Sequence, residues 1–357
     1  MAVHKVSIEE FLRLSRLHPV IDVRSPGEFE HAQMPGAYNL PLFTNEERKV
    51  VGTAYKQQGR QPAIKAGLDY FGLKMRKMLE EAEAIVKVHS ATSTCHPELA
   101  EGCVLVHCWR GGMRSAGVAW LLDLYGFKVY TLVGGYKAFR SWVLQQFAVQ
   151  YNFRILGGYT GSGKTLVLKE LARRHAVVDL EGLAHHKGSA FGALGEDKQP
   201  SPEQFENRLA TALHAIEPGT PIWLEDESRR IGDINLPLPL WTTMRKSPVY
   251  FLDIPFEERL GYITAGYGKY KQDELINAVV RIQKRLGGLN AKNAIGFMLE
   301  KNYKEGFRIL LEYYDKFYGK SLHNRDDVTQ LLQTVKCDKV DAKVNAQRLM
   351  AQIAEVS

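Results

Sequence analysis

Apolar residues follow two rhythms along the chain. Short, nearly unbroken apolar runs recur at residues 20–23, 103–107, 129–133, 153–156, 176–180, 221–224 and 249–254. Runs of this length predict strands buried on both faces, and 36–41 reads as one more short strand. Between them, residues 64–88, 115–124, 139–147 and 164–173 carry the spacing of helices. Strands alternating with helices predict α/β domains with parallel sheets and helices on both faces. After Glu257 the rhythm is mostly helical, at 272–286, 291–300 and 303–318. A Ser/Thr/Pro-rich stretch at 89–102 reads as a loose insert, and 148–152 as a boundary. The expected organisation is therefore a doubly wound domain over 8–147, a second α/β domain over 152–257 and a helical, basic region over 258–357.

Composition is that of a globular protein. Of 357 residues, 45% are hydrophobic and 24% charged, which excludes a disordered, collagenous or coiled-coil chain. No apolar run reaches the ~18–20 residues of a membrane helix, and the N-terminal segment lacks the apolar core of a secretory signal. Four cysteines, Cys95, Cys103, Cys108 and Cys337, are too few for a disulfide framework and predict a reducing, cytoplasmic compartment. Their spacings fit no zinc knuckle, so no metal site is expected. The net charge of +7 is uneven, with residues 259–320 holding 12 Lys and Arg against 6 Asp and Glu. A polyanion is the partner such a segment suits.

Two loops carry chemistry. In Val106-His107-Cys108-Trp109-Arg110-Gly111-Gly112-Met113-Arg114-Ser115, a buried strand ends at a cysteine, two glycines let the backbone curl, and a helix begins. Backbone N–H groups and a helix N-terminus then converge on the sulfur, and Arg110 and Arg114 add positive charge. All three effects favour a nucleophilic thiolate. Gly158-Tyr159-Thr160-Gly161-Ser162-Gly163-Lys164-Thr165 fits the pattern G-x4-G-K-[ST] after a strand and before a helix, the context of a phosphate-binding loop. Lys164 supplies a point charge, and Thr165 can hold Mg2+ if a nucleotide binds. The expected acidic partner is Ile222-Trp223-Leu224-Glu225-Asp226-Glu227-Ser228. The loop by itself specifies a phosphate and not a particular nucleotide.

Further segments are candidate substrate or RNA contacts. His185-His186-Lys187-Gly188-Ser189 follows a strand at the edge where open α/β sheets place ligands. Glu227, Ser228 and Arg229 follow the next strand, at 221–224. Lys269 and Tyr270 interleave a cation and an aromatic ring, as suits stacking on unpaired bases. Arg281 and Arg285 lie beside the apolar stripe of one helix, free for phosphates.

The opening Ile21-Asp22-Val23-Arg24-Ser25-Pro26-Gly27-Glu28-Phe29, with His31 and Pro35-Gly36-Ala37, resembles a rhodanese domain, and Leu132-Val133-Gly134-Gly135-Tyr136 resembles its closing strand and turn. Such domains carry sulfur or selenium on the loop cysteine. The loop here is one residue longer than in an ordinary sulfurtransferase and shares His-Cys-x5-Arg with cysteine phosphatases, so it has room for a tetrahedral anion. A rhodanese-like domain followed by a phosphate-loop domain, with CWRGGMRS, GGYTGSGKT, HHKGSAFGALG, EDESRRIG and RLGGL, resembles the family of bacterial tRNA 2-selenouridine synthases over roughly residues 8–320. The resemblance implies a two-step reaction at the wobble 2-thiouridine of lysine, glutamate and glutamine tRNAs. Geranyl diphosphate alkylates the sulfur, and selenium from selenophosphate then displaces the S-geranyl group. It implies selenophosphate and geranyl diphosphate as co-substrates, no tightly bound cofactor, and an enzyme that supplies selenophosphate as a partner. A cysteine-dependent phosphatase or sulfurtransferase fused to a kinase-like domain stays open as the alternative, as does an inert RNA-binding module.

Overall fold

The computed structural model describes residues 3–92 and 102–356. The chain divides into two compact units, residues 1–146 with 206–211, and residues 147–205 with 212–357.

The first unit runs β1 (His4–Val6), α1 (Ile8–Leu14), β2 (Val20–Asp22), α2 (Pro26–His31), β3 (Tyr38–Asn39), α3 (Asn45–Gln58), α4 (Arg60–Thr92), β4 (Cys103–His107), α5 (Met113–Tyr125), β5 (Lys128–Leu132) and α6 (Gly135–Gln146). Its five strands are all parallel, in the order β1-β5-β4-β2-β3. The central strand β4 is buried along its whole length, which is why its sequence shows no polar alternation. Helix α3 starts at a capping box, in which the Thr44 N–H donates to Glu47 and the Glu47 N–H donates to the Thr44 hydroxyl. Helix α4 continues through residues 89–92, so the expected insert begins later than its composition suggests; residues 93–101 lie outside the described residues. The edge strand β1 is too short and too exposed to leave an apolar run.

The second unit runs β6 (Phe153–Gly158), α7 (Lys164–Leu171), β7 (Ala176–Val177), α8 (Leu180–Ala184), the two ends of α9 (Pro202–His214), whose residues 206–211 count with the first unit, β8 (Ile222–Glu225), β9 (Arg230–Ile231), β10 (Ile234–Asn235), α10 (Leu238–Arg245), β11 (Val249–Asp253), α11 (Phe256–Tyr267), α12 (Gln272–Leu286), α13 (Gly288–Leu299), α14 (Tyr303–His323), α15 (Val328–Leu331), β12 (Leu332–Lys336) and α16 (Ala342–Val356). Its main sheet is also parallel, in the order β12-β11-β6-β8-β7, and β9 and β10 form a small antiparallel ribbon.

The end of the chain corrects the expected division at residue 258. After five helices β12 pairs in parallel with β11, and α16 lays Ala346, Leu349 and Ile353 into one core with Val167, Leu168 and Leu171 of α7. Residues 258–357 are therefore part of the phosphate-loop unit and not a separate helical region. Strand β12 escapes a periodicity reading because Gln333, Thr334 and Lys336 interrupt it, as befits a sheet edge. Helices α11 to α14 do form their own apolar cluster, around Leu260, Leu275, Val279, Met298 and Phe307.

Leu349 is fully buried in the core shared by α7 and α16. Leu349→Ala is expected to destabilise the second unit by about 2–5 kcal/mol, read from the shift of its denaturant midpoint.

Candidate functional site

Both loops singled out in the sequence follow the central strand of a parallel sheet. Strand β4 delivers Cys108 and β6 delivers Gly158 to the carboxyl edge, where the next helix begins.

Cys108 is buried, and its Sγ lies 3.2 Å from the Ser115 Oγ in the first turn of α5. The N–H groups of that first turn have no partner within the helix and so face the loop. Residues 109–113 are exposed and give access to the site. The loop is pinned from behind by the start of α6. The Tyr136 N–H donates to the Cys108 carbonyl at 2.9 Å, and the Lys137 N–H to that of Trp109 at 3.0 Å. Gly135 has φ +58°, and a Cβ there would fall on the Cys108 carbonyl oxygen and the Gly111 nitrogen. Only glycine fits where these two backbone segments meet.

Arg110 is exposed on the loop. Arg114, expected to add positive charge, is paired with a carboxylate. Its Nη1 donates to Glu28 at 2.7 Å and its Nη2 at 3.3 Å. Burial acts to raise the Glu28 carboxyl, but Arg114, the Ser25 N–H and Arg48 outweigh it and hold the group at about 2. A second pair braces the same edge: buried Arg24 binds the Asp22 carboxylate and the Ala32 carbonyl, with its guanidinium 3.7 Å from the Tyr136 ring centre. Burial also keeps the adjacent His107 imidazole below its ordinary value, hence neutral. Cys103 and Cys337 are buried, and their thiols are pushed up to about 11 by that burial.

In the second unit Lys164 opens α7 and donates to the Gly158 carbonyl at 2.9 Å, closing the phosphate loop on itself. Gly163 has φ +72°, the left-handed turn that joins loop to helix. Ser162 is buried with its hydroxyl unpaired. Arg259 in α11 ties the loop down, donating to the Thr160 carbonyl at 3.1 Å and to Asp315 at 2.9 and 2.7 Å. The Gly158 N–H donates to the Tyr318 hydroxyl at 3.2 Å, and that hydroxyl donates to Asp226 at 2.6 Å. Asp226 also pairs with Arg325. The acidic strand end expected to face the loop is thus there, but Asp226 is committed to protein donors. The Thr165 hydroxyl donates to Glu181 at 2.8 Å, which leaves Thr165 and Glu181 as the oxygens suited to a hard cation. Among the described residues no three His, Cys, Asp or Glu side chains are grouped to hold a metal.

The neighbouring carboxyls are unusual. Burial, then Asp179 and Glu181, push Glu225 well above the carboxylate range. Burial and the Glu181 charge push Glu227 up as well, against the pull of Lys164. Protonated carboxyls repel an incoming diphosphate less than carboxylates do.

The other predicted contacts divide. The 185–192 segment is a folded turn and not a loose basic loop. Phe191 is buried among Tyr267 and Phe307, the Ala190 N–H donates to the Tyr314 hydroxyl at 3.0 Å, and Lys187 pairs with Glu196 at 2.5 Å. Gly188 lies against Glu227, so a Cβ there would stand 2.7 Å from its carboxyl; the turn carrying His186, Lys187 and Ser189 therefore meets the acidic cluster. Ser228 is exposed and donates to the Arg230 carbonyl, and Arg229 is exposed beside it. Lys269, Arg281 and Arg285 are exposed. Tyr270 is half-buried with its hydroxyl on the Leu194 carbonyl at 3.1 Å, which leaves its ring packed.

Sequence reasoning missed Glu28, Ser115, Arg259, Tyr318 and Arg325. Ser115, next to Arg114 at a helix start, had a local signal. Tyr318 and Arg325 meet Gly158 and Asp226 across 160 and 99 residues, which no motif spans.

Two expected outcomes follow from the first loop. Gly135→Ala should expel the α6 start from the Cys108 loop, lowering the melting temperature of the first unit and increasing protease cutting at 109–113. Because the folded Glu28 value lies below the ordinary 4.5, its contribution to stability is present above pH 4.5 and is lost as pH falls toward about 2. Glu28→Gln should flatten that part of the stability profile, followed by chemical denaturation at stepped pH.

A family model for the rhodanese-like domain matches residues 7–141, and one for the tRNA 2-selenouridine synthase AAA domain matches residues 151–348. A tRNA 2-selenouridine synthase of Sulfurovum sp. (strain NBC37-1) is 36% identical over 336 residues, 84% of this chain and 87% of its own. One from Marinobacter nauticus (strain ATCC 700491 / DSM 11845 / VT8) is 36% identical over 339 residues, covering 85% and 88%. One from Shewanella halifaxensis (strain HAW-EB4) is 33% identical over 363 residues, covering 92% and 95%.

Proposed function

The chain belongs to the tRNA 2-selenouridine synthase family of tRNA-modifying enzymes, and from that premise we propose that it converts wobble 2-thiouridine to 2-selenouridine through an S-geranyl intermediate. Geranyl diphosphate and selenophosphate are the co-substrates, and the tRNAs are those of lysine, glutamate and glutamine. The observation that supports this most is the pairing, in one chain, of a buried cysteine in a longer-than-usual anion loop with a complete phosphate loop.

In the first step the thiocarbonyl sulfur of the nucleoside attacks the first carbon of the geranyl group. The C–S bond forms, the C–O bond breaks and pyrophosphate leaves. Lys164 and the N–H groups of the Gly158–Thr165 loop stabilise the charge that gathers on the departing pyrophosphate, with no nucleotide hydrolysis. Mg2+, when bound, would be held by Thr165 and Glu181 and would add charge there. In the second step the Cys108 thiolate attacks the selenium of selenophosphate, the Se–P bond breaks and phosphite leaves. The selenium held on Cys108 then attacks C2 of the base, the C–S bond breaks and geranylthiolate leaves, and an added small-molecule thiol cleaves the S–Se bond to free 2-selenouridine. The exposed Arg110 and the first-turn N–H groups of α5 receive the tetrahedral anion, and Arg114, oriented by Glu28, borders the loop. Lys269, Arg281 and Arg285 hold tRNA phosphates. His186, Lys187, Ser189, Glu227, Ser228 and Arg229 line the approach to the phosphate loop. Selenophosphate reaches the enzyme from a separate supply enzyme.

The test is mass spectrometry of nucleosides from 2-thiouridine tRNA incubated with geranyl diphosphate, with and without selenophosphate. Wild type should give geranylated nucleoside without selenophosphate and selenouridine with it. Cys108→Ala should retain geranylation and lose selenouridine. Lys164→Ala should lose geranylation by about 100-fold or more, on the scale of one preorganised charge contact. Geranylation intact in Lys164→Ala, with only selenation lost, would remove the diphosphate from the phosphate loop.

A further inference from the structure

The Ser115 hydroxyl stands between two acceptors. Its Oγ is 3.2 Å from the Cys108 Sγ and 3.1 Å from the Gly112 carbonyl oxygen. Both side chains are buried. A serine hydroxyl has one proton and can donate to only one acceptor at a time.

The carbonyl does not depend on that proton. The Gly112 oxygen also accepts the Ala116 N–H at 3.0 Å, the first hydrogen bond of α5. Turning the hydroxyl away from Gly112 therefore leaves no buried acceptor unpaired, which would otherwise cost about 1–3 kcal/mol. The two states of the sulfur then have matching arrangements with the same heavy-atom positions. When Cys108 is a thiol, its S–H donates to Ser115 and the Ser115 O–H donates to Gly112. When Cys108 has lost its proton to water, the Ser115 O–H rotates about the Cβ–Oγ bond and donates to the thiolate. Rotation of a hydroxyl hydrogen is the whole rearrangement.

The need for such a donor follows from the rest of the site. Arg114 is occupied by ionised Glu28, so its charge is largely cancelled locally. Ser115 is the side-chain hydroxyl within hydrogen-bond distance of the sulfur among the described contacts.

We propose that Ser115 is a positioning residue for Cys108, its hydroxyl donating to the thiolate and holding the sulfur ready at the loop. The proposal rests on the reading of Cys108 as the reacting group and on no later step of the reaction. Its test needs neither tRNA nor selenium, so its failure and that of the proposed function are distinguishable.

The experiment measures iodoacetamide alkylation of Cys108 in the full chain between about pH 5.5 and pH 10, site-resolved by fragment mass spectrometry, with Cys108→Ala as blank. Ser115→Ala is expected to slow alkylation about tenfold near pH 7, the size of one charge-assisted hydrogen bond. The deficit should close toward pH 10. Ser115→Thr, which keeps the hydroxyl, should restore the neutral rate to within about twofold. Circular dichroism checks that each variant is folded. A neutral rate unchanged in Ser115→Ala would overturn the proposal, and so would a deficit of equal size at every pH, which reports access and not charge.

Discussion

Parallel strand pairing is the constraint on which the rest depends. It forces each chain segment to return across the sheet through a helix, and it collects the strand ends and the following helix starts at one edge. Cys108 and Gly158 each leave the central strand of a five-stranded parallel sheet at that edge. The sulfur and the phosphate loop therefore both meet a helix N-terminus, where unpaired N–H groups and the helix dipole favour an anion. Family membership names the product, and the two edges give one chain two places that suit an anion.

Each loop is then fixed by contacts from distant parts of its own unit. In the first unit the start of α6 lends two N–H groups to the Cys108 loop, and the absence of a side chain at Gly135 lets the backbones touch. The buried Asp22–Arg24 pair, capped by the Tyr136 ring, keeps the adjoining strand end rigid. In the second unit Tyr318 and Arg259 hold the phosphate loop at Gly158 and Thr160. These braces are charged or polar groups buried with their partners satisfied, so they define one geometry more than they add stability.

Electrostatics divide the two sites. Around Cys108 the carboxylate is ionised and paired, since Glu28 is held at about 2 against Arg114. Around the phosphate loop the carboxyls are crowded and buried, and Glu225 and Glu227 are pushed upward. One site thus offers backbone and hydroxyl donors to a sulfur, while the other keeps a lysine beside acids that tend to hold their protons.

Much of this was legible in the sequence because it is local. Strand, glycine turn and helix start are adjacent in both loops, so short-range sterics dictate them, and the phosphate-loop pattern is contiguous. Residues 103–107 and 153–156 read as buried strands because nothing polar interrupts them, and Arg281 and Arg285 read as surface because they lie off an apolar stripe. Tertiary structure alone decided the rest. Strand β12 joins its sheet after five intervening helices, and Asp226 meets Tyr318 and Arg325 from some ninety or more residues away. The pairing of Arg114 with Glu28 spans 86 residues and largely offsets the charge expected of Arg114 at the loop. Periodicity records which face of an element is buried, whereas the partner that buries it is chosen by the packing of the whole unit.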